Sequence, residues 1–307
     1  MKITHGHPTD ELELPYQPPF DWPRMLRFFG GRASAGVEAV EQGQYLRTVH
    51  WQGLPGSLRV RDDPARQCLI VQASGEASRA LGAMQAKLRG VFDLATDPGA
   101  VRQGLAHDPW LAGLLDRAPG LRIPGAWSAF ELVVRTIVGQ QVSVKAATTI
   151  TGRLVQRAGA PAPSPFHEAA PWCFPTPAAL AAANLERIGM PGKRVAALQG
   201  FAQAVAEGAL PLEDAEPDVA QLRAAMLALP GIGPWTVEYT AMRAWRDTDA
   251  WPATDLVLMQ AIALRAPELA KPAQQRHYTE SWRPWRAYAA MHLWNEIADR
   301  AGAARGG

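Results

Sequence analysis

The chain has 307 residues, with 31 basic and 29 acidic side chains for a formal charge of +2, and is 48% hydrophobic and 20% charged. That balance fits one large or two modest folded domains and excludes a disordered chain, while any nucleic-acid face has to be local. Two cysteines are too few for a disulfide framework or a cysteine-ligated metal, and neither an apolar signal region nor a run of ~20 apolar residues is present, so a cytoplasmic protein off the membrane is expected.

Period-two alternation marks strands in the first hundred residues. QYLRTVHW (44–51) sets Tyr45, Arg47, Val49 and Trp51 against Leu46, Thr48 and His50. SLRV (57–60) and QCLIVQA (67–73) read the same way. EASRALGAMQAKLRGVFDL (76–94) then spaces Leu81, Met84, Leu88, Val91 and Phe92 for a helix. From about residue 105 strand signals stop. Phe130, Val133, Val134 and Ile137 predict a helix ending near Gly139, and Ser143 can cap a second over 144–159. The proline-rich stretch 160–177 cannot be helical throughout, and Thr176–Pro177 reads as an N-cap followed by proline at the first helical position. Helical patterns continue to residue 300, and the tail GAARGG reads as loose. The expected class is α+β: a small antiparallel-sheet α+β domain over 1–104, then a larger all-α domain over 105–307.

LPGIGPWT (229–236) lies between helical patterns at 218–228 and 236–246. Gly231 and Gly233 allow positive φ or close approach of another molecule to the backbone. Ile232 can turn inward and pin both helices. The turn leaves N–H groups free at the positive end of a helix, which favours a phosphate and reads no base. A bare G-x-G between helices is also compatible with a tight connection that holds no ligand.

L-P-G-I-G-x-x-T between helices resembles the helix–hairpin–helix of the base-excision DNA glycosylases. In that family a Gly/Pro-rich stretch and an aspartate follow; here RAWRDTDAWPATDLVLMQ (243–260) brings Pro252 and Asp255. YQPPFDWPRMLRFF (16–29), IVGQQVSVKAA (137–147), CFPTPAALAAA (173–183), IGMPGKRVAAL (188–198) and WRPWRAYAAMHLW (282–294) resemble, in order, the alkylation-repair branch typified by 3-methyladenine DNA glycosylase II. The resemblance covers nearly the whole chain. It makes 105–307 a helix–hairpin–helix glycosylase domain.

The resemblance implies a hydrolase that flips alkylated purines out of double-stranded DNA. Asp255 takes the place of the catalytic aspartate, which stabilises an oxocarbenium-like sugar as the base leaves; it also reads as a helix N-cap. Trp235 stands where family members that nick DNA carry a Schiff-base lysine, so a monofunctional enzyme without lyase activity is expected. The chemistry needs no metal or other cofactor. Trp235, Tyr239 and Trp294 would line the base pocket, where aromatic faces attract a cationic base by about 0.5–2 kcal/mol. Gln141 holds the wedge position, where the best-known relatives of the branch have leucine. Pro234 replaces arginine and leaves the N–H groups of Gly231, Gly233 and Trp235 as phosphate donors. Lys193, Arg194, Arg135, Lys145, Arg153 and Arg157 are further candidates for the DNA face, and His292 is expected to pack. A monomer is the default. The alternatives are a non-catalytic DNA-binding module and a glycosylase of the same fold with another damaged-base specificity.

Overall fold

The computed structural model describes residues 11–214, 217–269 and 271–306, with side chains to residue 302. The N-terminal part holds β1 (Glu11–Pro15), α1 (Trp22–Gly30), β2 (Glu38–Glu41), β3 (Gln44–Trp51), β4 (Leu54–Asp63), β5 (Cys68–Gly75) and α2 (Gln85–Val91). The strands form one antiparallel sheet in the order β1-β5-β4-β3-β2. Asp21 caps α1 by accepting the Arg24 N–H at 3.0 Å, and Trp22, Met25, Leu26 and Phe29 recur at helical spacing to bury one stripe. That stripe packs with Tyr45, Val49, Leu58, Val60, Leu69 and Val71 of the sheet.

The single helix expected over 76–94 divides in two. Residues 76–84 form a 3-10 segment and α2 follows. The segment begins after Gly75, at φ +72 and without a capping side chain, so nothing sets an α-helical first turn. Leu81, Met84, Leu88, Val91 and Phe92 are buried as their spacing implied. In β3 the burial departs from alternation: Tyr45 through Val49 are all buried. The second face is covered too, by an ion cluster. Arg47 donates to Glu131 at 2.7 Å, Arg135 donates to Glu38 at 2.9 Å and Glu131 at 3.2 Å, and Tyr45 donates to Glu38. Burial works against the Glu38 carboxylate, but Arg135 and Arg47 hold it well below the usual range.

The helical part contains α3 (Pro98–Leu105), α4 (Pro109–Arg117), α5 (Ala129–Gly139), α6 (Val144–Ala158), α7 (Pro177–Ala182), α8 (Gly192–Ala206), α9 (Val219–Leu227), α10 (Pro234–Arg243), α11 (Leu256–Arg265), α12 (Pro272–Thr279) and α13 (Arg286–Gly306). Strand signals do not end quite where expected: β6 (Ala160–Pro161) and β7 (Trp172–Cys173) pair briefly within the proline-rich stretch. Ser143, Thr176 and Asp255 cap α6, α7 and α11. The last helix starts after Pro284 and Trp285 and runs into the tail that had read as loose. Two apolar cores fill this part. One joins α3, α4, α11 and α13; the other gathers α5, α6, α8 and α9 around Ile232 and Val237. No described helix is long and apolar enough to cross a membrane.

Candidate active site

Asp255 stands at the start of α11, where its Oδ1 accepts the backbone N–H of Leu258 at 2.9 Å. The cap is one of three bonds on this carboxylate. Trp235 Nε1 donates to Oδ2 at 2.8 Å, and Trp294 Nε1 donates to Oδ1 at 3.1 Å. Both indoles bring their N–H edges to the acid, and the carboxylate is held in one orientation at the half-buried junction of α10, α11 and α13.

The aromatic faces form a continuous corner. Trp235 stacks on Tyr239 with centroids 4.8 Å apart and planes 16° apart, as i, i+4 neighbours on α10 can. Trp294 meets Tyr239 edge to face at 6.1 Å. Trp235 and Tyr239 line a cleft of about 360 Å³ together with Gly139, Gln140, Val142 and Thr148 of the α5–α6 corner. Trp294 lines a neighbouring hollow of about 150 Å³, together with Phe28 and Arg32, and Arg32 borders both spaces. The larger cleft lies within the size range of small-ligand sites, ~300–1,000 Å³.

Cationic groups close the far end. Arg243, buried on α10, donates to the carbonyls of Pro124 at 2.7 Å and Gly125 at 3.1 Å, and to the Tyr239 hydroxyl at 3.0 Å. Phe28 lies between two guanidiniums, with Arg32 4.1 Å and Arg243 4.7 Å from its ring centroid. Burial raises the Tyr239 phenol, but Arg243, Arg32 and Arg135 together bring it below its ordinary value. Phe28, Arg32 and Arg243 were not singled out from the sequence. Arg243 is four residues after Tyr239 on one helix, a spacing that could have marked it; Phe28 and Arg32 come from the other domain, and no local pattern announces them.

Gly231 and Gly233 serve the hairpin differently. Gly231 has φ +82, and a Cβ there would meet Ala197 Cβ at 2.9 Å. Gly233 is extended at φ −102 and caps α10 with no side chain; a Cβ on it would meet nothing within 4 Å. Among the described residues, the N–H groups of Gly231, Gly233 and Trp235 have no partner inside the protein, while Ile232 is buried beneath them.

Gln141 sits exposed in the α5–α6 corner at φ +57, and its Oε1 accepts from Arg194 Nη2 of α8 at 3.3 Å. Several of the other cations are committed elsewhere. Arg135 is in the ion cluster, Arg153 donates to the Ile188 carbonyl and Arg157 to that of Asn184. Asp247 and Asp249 pair with Arg223 and Arg286. His292 is buried, and burial together with Arg24 pushes its imidazole down to about 4. His5 and His7 lie outside the described residues. Among the described residues no three His, Cys, Asp or Glu side chains gather as a metal site.

The chain belongs to the HhH-GPD superfamily of base excision DNA repair proteins, whose model matches residues 134–287, and residues 11–128 match the AlkA N-terminal domain. It is 39% identical to DNA-3-methyladenine glycosylase 2 of Escherichia coli over 92% of this chain and 95% of that one. It is also 38% identical to the probable bifunctional transcriptional activator/DNA repair enzyme AlkA of Mycobacterium tuberculosis, across 94% of this chain but 57% of that longer protein. The fold superposes on 3-methyladenine DNA-glycosylase from Archaeoglobus fulgidus with a TM-score of 0.80 at 20% identity, covering 94% and 98% of the two chains.

Proposed function

We propose that this protein is a monofunctional glycosylase that flips alkylated purines of the 3-methyladenine and 7-methylguanine type out of double-stranded DNA and hydrolyses their N-glycosidic bond. The carrying observation is Asp255, held by two indole N–H groups beside the aromatic cleft and the open hairpin. As the C1′–N bond breaks, its electron pair leaves with the base and positive charge spreads over the sugar. A fixed carboxylate stabilises that charge and accepts the proton of the water that attacks C1′. Trp235, Tyr239 and Trp294 offer faces to the extruded base. Gly231 and Gly233 seat a phosphate through backbone N–H groups, and Gln141 fills the gap in the duplex. With tryptophan at position 235 no amine is available there for a Schiff base.

One observation favours a second specificity within the same fold. Arg32 and Arg243 border the cleft with no carboxylate hydrogen-bonded to either among the described residues. Their charge opposes a cationic base and suits a neutral base that carries a carbonyl acceptor.

One copy of the chain carries every residue of the candidate site, and we infer a monomer that acts on DNA in the cytoplasm. The proposed division at 104/105 falls inside α3, whose Val101 and Leu105 both pack in the core of the helical part. The test is base release from methylated duplex DNA and from duplex containing a neutral oxo-purine, for the wild type and Asp255→Asn. Release by the wild type, lost in the variant while DNA binding persists, is expected; binding without release by both proteins overturns the enzymatic reading.

A further inference from the structure

Between the last residue of α5, Gly139, and the capping Ser143 of α6, only Gln140, Gln141 and Val142 remain. The two glutamines are tied in different directions. Gln140 Nε2 donates to the carbonyl of Gly231 at 2.9 Å, across 91 residues of chain. Gln141 Oε1 accepts from Arg194 on α8 at 3.3 Å. Gly231 itself packs on α8, against Ala197. Wedge loop, hairpin and the start of α8 therefore meet at one corner. Gln140 also lines the cleft together with Trp235 and Tyr239. It is the only residue of the loop that touches the hairpin through a side-chain hydrogen bond among the described residues.

We propose that Gln140 is a positioning residue that couples the hairpin's hold on the DNA backbone to the insertion of Gln141 into the duplex. The proposal rests on the glycosylase reading of the site. The amide of Gln140 fixes the Gly231 peptide, and that peptide orients the turn whose free N–H groups, on Gly233 and Trp235, face outward. A phosphate seated on the Gly233 N–H is thus linked to the wedge residue through two peptide units of the hairpin, the Gln140 hydrogen bond and the Gln140–Gln141 peptide. Gln141 stands in the left-handed region, where the backbone of a non-glycine residue is held by its surroundings. Without the Gln140 bond, the loop keeps the residue but loses the reference that sets its height above the duplex.

This coupling matters only when a base pair must be opened. The test uses the full chain, with 7-methylguanine placed either opposite cytosine or opposite a tetrahydrofuran abasic analogue, which leaves no pair to break. For Gln140→Ala, truncating a side chain of the cleft wall lowers single-turnover release from both duplexes, but release from the paired duplex falls about ten-fold or more further than release opposite the abasic analogue. Gln140→Glu sets an acceptor against the Gly231 carbonyl, so it matches the alanine variant near neutral pH. Equal loss on the two duplexes, or no loss on either, overturns the coupling. A wild type that releases base from neither duplex overturns the enzymatic reading on which the coupling rests, and is told apart from the first failure by that control alone.

Discussion

Trp235 donates its indole N–H to Asp255 at 2.8 Å while stacking its face on Tyr239 at 4.8 Å. One side chain thus gives a face to Tyr239 and its edge to the carboxylate, so on the proposed reading recognition and chemistry share a part. Trp235→Phe separates the two, since it retains an aromatic face and removes the donor. A hydrogen bond to a charged group is worth about 1.5–3 kcal/mol, or about 10–100-fold in rate. Single-turnover base release by Trp235→Phe is expected to fall within that range, with a smaller change in affinity for abasic product DNA. Trp294→Phe, which loses the weaker 3.1 Å bond, falls less. Equal losses in rate and in affinity would show that the indole N–H does not act through the carboxylate.

The two hairpin glycines give opposite outcomes. At Gly231 an alanine is strained by φ +82 and collides with Ala197, so Gly231→Ala loses about 1–3 kcal/mol of folding stability. Gly233 is extended with open space around it, so Gly233→Ala melts with the wild type. Its methyl group instead stands where a phosphate would approach, and duplex affinity drops about ten-fold, the scale of one charge-assisted hydrogen bond. Paired melting and DNA-titration experiments on the two variants separate the roles.

What the sequence made legible follows how locally each feature is encoded. The limits of β3 and the caps of α6, α7 and α11 rest on period and on one or two residues, and they emerged from reading alone. The strands β1 and β2 are only 5 and 4 residues long, too short for alternation to stand out, and were not read. Asp255 was reached through its order after the hairpin. The resemblance names Trp235 and Trp294 as pocket aromatics but not their bonds to Asp255, because they lie 20 and 39 residues away and meet it only through packing of α10, α11 and α13. The burial of both faces of β3 escaped for the same reason: Arg47 finds Glu131 84 residues on, across the domain junction.

That junction is itself testable. Glu38→Gln removes one of two carboxylates that neutralise Arg47 and Arg135 in a cluster whose Glu38, Arg47 and Glu131 are buried and whose Arg135 is partly exposed. Breaking a buried pair costs about 3–5 kcal/mol, because the partner charge is left without compensation. Chemical denaturation of the variant is expected to show a midpoint loss of that size. Base release at a temperature where it remains folded also falls, since Arg135 lines the cleft. A loss under 1 kcal/mol, on the order of a surface pair, would mean the cluster adds little to holding the domains together.

His292 sets the acid limit of the fold in a separate window. Its ring is buried on α13, and burial with the nearby Arg24 lowers it from 6.5 to about 4. Between those values the unfolded chain binds a proton that the folded chain does not, so stability rises with pH across the window and is lost as pH falls from 6.5 toward 4. The full loss is about 3 kcal/mol, reached once both states are protonated. Glu38 acts lower: its folded value is also depressed, so its contribution is complete above the ordinary 4.5 and fades only as pH falls below it. His292→Gln keeps a polar side chain of similar length and removes the titration. Urea denaturation at a series of pH values from 7 to 3 is expected to show a steep decline for the wild type and a flatter one for the variant. The two lines should differ mainly between 6.5 and 4 and run parallel below, where the carboxylates take over. Parallel declines through the upper window would place the acid sensitivity elsewhere and sink the assignment to His292.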